Sequence, residues 1–216
     1  MEVRLMRKYL TSMLVVLPLI LSPGSWGADF AKGQAAYNSG DYQTALMEWQ
    51  PLAEADNADA QFGMGLLYAN GFGVPLDDAQ ALNWYLLAAE KNHADAQVNL
   101  AVMHANGWGV PQSDEEAVKW YSLAADQGVT PAQIAVAKMY FGGFGAAPDK
   151  VQAHKWFSIA SKLGDYNAAS KRDNLAKKMS AEEIAEADSL ATTWFEGYQN
   201  LHAKQGQDAS EEEVVR

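Results

Sequence analysis

Trp84, Trp120 and Trp156 stand 36 residues apart, and most of what surrounds them returns in the same phase. Gly71, Gly107 and Gly143 keep that interval, and so do Gly73, Gly109 and Gly145. Ala60, Ala96, Ala132 and Ala168 follow it, as do Ala81, Ala117 and Ala153. A period of this length belongs to stacked units, none of which can bury its apolar face alone. The chain is therefore constrained to a solenoid, in which each unit packs on its neighbours in sequence.

Each unit reads as two helices. Residues 58–70 carry Met64, Leu67 and Tyr68 at helical spacing and stop at Asn70-Gly71, the pair expected where a helix ends in a left-handed residue. Gly71-Phe72-Gly73-Val74-Pro75 then breaks the helix. The second helix opens at Asp77 with Gln80 three positions on, and Ser113–Glu116 and Asp149–Gln152 repeat that arrangement. This is the capping-box spacing, in which two side chains satisfy orphaned backbone N–H groups. The acidic residues beside it, Asp78, Asp114 and Glu115, suit the positive end of a helix dipole.

These signals divide the chain into residues 58–93, 94–129 and 130–165, flanked by an N-terminal capping repeat (28–57) and C-terminal capping helices (166–202). Ser180 to Glu183 marks the start of the last helix, in which Ile184, Leu190, Trp194, Tyr198 and Leu201 are placed to cover the open end of the stack. Residues 203–216 read as a disordered acidic tail. Within the units, small residues at Ala60, Gly65, Ala81, Ala88 and Ala89 and their copies let helices approach. The tryptophans, Tyr85, Tyr121 and Phe157, and Leu87, Leu123 and Ile159 are expected to fill the space between.

Residues 1–27 stand outside the repeat. Arg4, Arg7 and Lys8 precede an apolar run from Leu10 to Leu21, and small residues follow at Gly24, Ser25, Gly27 and Ala28. This is the layout of a secretory signal cleaved after Gly27, with an uncleaved anchor as the alternative. The full chain has a formal charge of −11, and loss of Arg4, Arg7 and Lys8 with Glu2 takes it two units further negative. Such a surface repels phosphate backbones and anionic headgroups, so neither nucleic acid nor membrane insertion after cleavage is expected. The chain has no cysteine, so packing alone holds it together. An exported, most simply periplasmic, acidic protein is the expectation.

With the repeat written out, the chain resembles the Sel1-like repeat family. The resemblance is carried by Ala58-x-Ala60-Gln61, Gly71-x-Gly73-Val74, Ala81-x-x-Trp84-Tyr85 and Ala88-Ala89, and by the same pattern from Ala94 to Ala125. The third unit departs at Thr130-Pro131, Ala146-Ala147-Pro148, Phe157 and Ser161, and the first looks more like a tetratricopeptide repeat. The resemblance implies an all-α, right-handed αα-superhelix of about four to five helix pairs, whose first helices line a concave groove. It also implies a non-catalytic scaffold or adaptor of the bacterial cell envelope that binds a protein or peptide partner. Some cysteine-rich relatives carry a β-lactam or cell-wall hydrolase label, which makes hydrolysis the alternative.

The residues offer little chemistry for that alternative. No serine of the repeat region is followed three residues on by lysine, and Gly-x-Ser-x-Gly, His-Glu-x-x-His and a phosphate-binding loop are missing. The four histidines scatter, so no catalytic, cofactor-binding or metal residues are assigned. Mapping the superhelix onto the chain turns Asp59, Phe62, Leu66 and Asn70 towards the groove, followed by Asp95, Val98, Val102 and Asn106, then Ile134, Lys138 and Phe141, with Ser170, Asn174 and Lys178 continuing the row. The apolar members offer a floor to a partner segment, or else pack on the neighbouring second helices. Phe72, Trp108 and Phe144, between the paired glycines, form a second row along one edge, unless each ring folds back over its own turn.

Overall fold

The structure, a computed structural model, describes residues 28–214; the predicted signal (1–27) lies outside the described residues. Ten α-helices and no strand make up that span. They are α1 (Phe30–Ser39), α2 (Tyr42–Glu54), α3 (Ala58–Asn70), α4 (Asp78–Glu90), α5 (Ala94–Asn106), α6 (Asp114–Asp126), α7 (Thr130–Gly142), α8 (Lys150–Lys162), α9 (Tyr166–Ala176) and α10 (Ala181–Val214). From α1 to α9 each helix packs on the next in sequence, which is the connectivity of an αα-solenoid.

The helix starts follow the expected chemistry with one difference. Asp77, Ser113 and Asp149 accept hydrogen bonds from the backbone N–H groups of Gln80, Glu116 and Gln152. The return arm of the box is not used in these three units. Instead the backbone N–H of each cap donates to a carbonyl near the end of the unit's first helix, at Tyr68, His104 and Tyr140. The cap thus closes the loop between the unit's two helices. Among the described residues only Ser180 and Glu183, which have no such carbonyl in front of them, exchange both bonds, at 3.1 and 2.8 Å.

Buried amides tie one unit to the next. Gln61, Gln97 and Gln133 are nearly inaccessible to solvent, and each donates to the carbonyl of Ala53, Ala89 or Ala125 at the end of the preceding second helix. A buried amide left unpaired costs roughly 1–3 kcal/mol, so these bonds fix where the next helix begins.

A second joint is made by backbone alone. Gly73, Gly109 and Gly145 all have positive φ, and a Cβ added to any of them would press on the backbone of Tyr42, Asp78 or Asp114. Those three are the first residues of α2, α4 and α6, again 36 apart. The second glycine of each pair is therefore the point where one unit's loop rests on the previous unit's helix. That close approach leaves no room for a side chain.

The core differs from expectation at several positions. Trp156 is buried, but Trp84 and Trp120 are only half-buried. Ile159 is fully buried, whereas Leu87 is 39% and Leu123 46% exposed. The cause is α10, which packs against α8 and brings Trp194 onto Trp156 at 6.3 Å between ring centroids. Among the described residues no helix packs along α4 or α6 in this way, α10 touching α6 only at its end. On α10, Ala187 and Ala191 make the closest approach, while Ile184, Leu190, Trp194 and Tyr198 are half-buried and Leu201 is exposed. The helix is continuous to Val214, through the stretch that reads as an acidic tail from residue 203.

Candidate partner-binding face

Phe62, Leu66 and Asn70 lie four residues apart on α3, so they share one face of that helix. The two apolar members are half-buried and pack against the core of the second unit. Phe62 stacks on His93 at 4.5 Å and tilts against Tyr85 at 5.8 Å. His93 caps α5, its Nδ1 accepting from the backbone N–H of Ala96, so this histidine serves the unit junction. On α5 and α7, Val98 and Ile134 are likewise half-buried against the core of the third unit, and Val102 is half-buried. The apolar row is thus divided between packing and exposure.

Its polar members are held locally. Asn70 donates to the carbonyl of Leu66 and Asn106 to that of Val102, at 2.8 and 2.7 Å, which steadies the last turn of each helix. Lys138 and Phe141 are exposed, Phe141 at 51%.

The loop aromatics behave differently from one another. Phe72 stacks on Tyr42 at 4.2 Å, almost parallel, and so packs on the N-terminal repeat. Phe144 folds over Gly142, whose missing side chain makes room for the ring, yet remains 58% exposed. Trp108 is 51% exposed. The three therefore form no uniform row.

A cleft of about 530 Å³ opens between α7, α8 and α9. Buried Phe157 and Leu175 form its floor, and exposed Lys138, Phe141, Lys171, Asn174, Lys177 and Lys178 form its walls. Lys138 and Phe141 belong to the face expected from sequence. Asn174 and Lys178 continue that row, whereas Lys171 and Lys177 lie outside it, although Lys171, Arg172, Lys177 and Lys178 are a dense basic cluster for so acidic a chain.

A serine, a histidine and a carboxylate also come together. Ser158 Oγ lies 3.4 Å and Asp188 Oδ1 3.8 Å from His154 Nδ1. Both therefore address the same ring nitrogen, whereas a nucleophilic triad needs the base to bridge them through opposite nitrogens. Ser158 and His154 are each 3% exposed, so no substrate carbonyl reaches the hydroxyl. Among the described residues, no three His, Cys, Asp or Glu side chains gather to hold a metal ion.

Burial holds His154 below the ordinary imidazole pKa, with Asp188 opposing it. The unfolded chain then binds the extra proton first, so stability falls as pH drops below about 6.5 and the imidazole is forced to charge. His154→Gln is expected to flatten that dependence in thermal unfolding measured between pH 7.5 and 5. An unchanged slope would assign the acid sensitivity elsewhere. Tyr85 shows the same physics in a neutral setting: burial raises its phenol pKa, while a hydrogen bond with Asn99 opposes the shift.

The fold and this face define a helical-repeat solenoid with an apolar, lysine-walled cleft and no assembled reactive centre among the described residues. The Sel1 repeat family model matches residues 58–93, 94–129 and 130–165, half of the chain. The chain belongs to the Sel1 repeat family, whose fold generally serves as a scaffold for contacts between proteins. Among solved structures, a Sel1 repeat protein from Oxalobacter formigenes is 32% identical with a TM-score of 0.62, covering 67% of this chain and 59% of its own. The second is c5321, a protective antigen present in uropathogenic Escherichia coli strains displaying an SLR fold. It is 25% identical with a TM-score of 0.50, over 83% of this chain and 47% of its own. The chain thus spans about half to three fifths of these relatives. A search of the curated proteins returns no match.

Proposed function

We propose that the chain is a non-catalytic scaffold of the bacterial cell envelope that holds a segment of a partner protein along the face of α3, α5, α7 and α9. The observation that carries this reading is the cleft at α7–α9, which is apolar at its base, open to solvent and on the same face as Lys138 and Phe141. Recognition of an extended or helical segment needs such a floor with polar walls. Export rests on residues 1–27, whose basic start, apolar run and small residues direct a chain across the inner membrane. No helix of the described residues is long and apolar enough to cross a membrane.

Phe141→Ser, a change at an exposed side chain, is expected to leave unfolding unaltered and to lose most of the partner in a crosslinking pull-down from the envelope fraction. Leu123→Ser, equally exposed on a second helix, is expected to retain it. Equal recovery by both variants would remove this face from consideration. Turnover of a chromogenic β-lactam by the pure protein, lost on one side-chain change, would instead support the hydrolase alternative.

A further inference from the structure

The walls of the α7–α9 cleft depart from the repeat in a way that packing does not require. At the position of Lys138 the two preceding units carry Val102 and Leu66, and at that of Phe141 they carry Ala105 and Ala69. Lys178 stands where those units have Asn106 and Asn70. The earlier units carry uncharged alanine, aliphatic or asparagine side chains at these places. Here they are an aromatic ring and two ammonium groups, with Lys171 added from α9 and Lys177 from its C-cap.

None of the four lysines forms an ion pair among the described residues, a state they share with Lys150, Lys155 and Lys162, whereas Lys32, Lys91, Lys119 and Arg172 are paired. Lys178 Nζ sits 5.9 Å from the centre of the Phe141 ring, and Lys177 Nζ donates to Asn174 Oδ1. In a chain of net charge −11, four ammonium groups without carboxylate partners around one apolar floor are a local reversal of sign. The same face on α3 and α5 carries Asp59 and Asp95 instead.

Resting on the scaffold reading above, we propose that this cleft takes an acidic protein segment, its apolar side chain seated on Phe157 and Leu175 and its carboxylates meeting Lys138, Lys171, Lys177 and Lys178. The charge complementarity selects the occupant. A small ligand fits less well, because both buried lining residues are apolar and every polar group lies on the exposed wall, leaving nothing to fix a headgroup. Charges placed on a rim steer and discriminate a partner more than they hold it, which suits a segment read along an open face.

The test is selection of random dodecapeptides displayed on phage against the full chain, followed by anisotropy with the synthesised winners. Expected are sequences with two or more Asp or Glu beside an aromatic or large aliphatic residue. Their affinity should fall about tenfold or more in Lys138→Glu with Lys178→Glu and weaken with added salt. Lys119→Glu, away from the cleft, should change it little. All three lysines are exposed, so circular dichroism of the variants should match the parent. Neutral or basic winners, or acidic winners indifferent to the lysine reversal, overturn the proposal. Winners that lose affinity only when Asn70 and Asn106 are changed overturn it while leaving the partner-binding face standing. Failure to enrich any peptide, together with binding to phosphatidylglycerol vesicles, overturns both and assigns the lysines to lipid headgroups.

Discussion

Trp49→Ala is expected to destabilise the protein by about 3–5 kcal/mol, the range for emptying a fully buried aromatic site. For a chain of this size that lowers the unfolding temperature by roughly 6–20 °C. Trp49 is 1% exposed and joins three helices. Its ring occupies the spaces left by Gly33 on α1 and Gly63 on α3, where any added Cβ would collide with it. Its indole N–H donates to the carbonyl of Phe30 at 3.3 Å, and Phe30 and Tyr37 lie against its faces. A matched Trp84→Ala, at a half-buried ring, should cost visibly less. Equal losses in the two variants would show that exposure is not what separates them.

The second large effect is expected at a position with no side chain. Gly109 has φ of +67°, and a Cβ there would lie 2.5 Å from the carbonyl oxygen of Asp78. Gly109→Ala therefore combines a left-handed backbone with a backbone collision that no rotamer relieves. Roughly 1–3 kcal/mol for the conformation and a similar amount for overpacking give about 2–6 kcal/mol together. Gly40→Ala is the control. It has φ of +83° but open space around it, so only the conformational cost of about 1–2 kcal/mol should appear. Because units in a solenoid are coupled only to their neighbours, Gly109→Ala should also broaden the transition as the stack separates at α4. Chemical denaturation followed by tryptophan fluorescence reads both quantities.

The residues that set the period were legible from sequence because each does a local job. Asp77, Ser113 and Asp149 cap the helices in front of which they stand, and Gly71, Gly107 and Gly143 end the helices they follow. Spacing alone reveals such roles. It does not reveal what a side chain meets across a joint. Gln61, Gln97 and Gln133 recur as plainly as the tryptophans, yet their bonds to the preceding helix depend on where two units meet. Asn57, His93 and Asp165 cap the first helices in the same phase, a role hidden by their different chemistries.

The half-exposure of Trp84 and Trp120 had the same cause. Their fate depends on α10, which lies outside the repeat, packs along α8 and meets α6 only at its end, where Trp194 and Tyr198 reach Asp126 and Gly128. For the candidate face, the register left two readings open for Phe62, Val98 and Ile134, floor or packing, and the structure draws all three towards the cores while Lys138 and Phe141 line the cleft. Helical periodicity fixes which way a residue points, and the height of its neighbours decides whether it remains exposed.

Recognition on the first-helix face of the stack is tested in living cells by a photo-reactive amino acid placed singly at positions 106, 138 and 141, with 87 and 123 as exposed second-helix controls. The same partner band should appear on irradiation from the first three positions and from neither control. Adducts at 87 or 123 with none at 138 and 141 would place the partner on the opposite side and contradict the account.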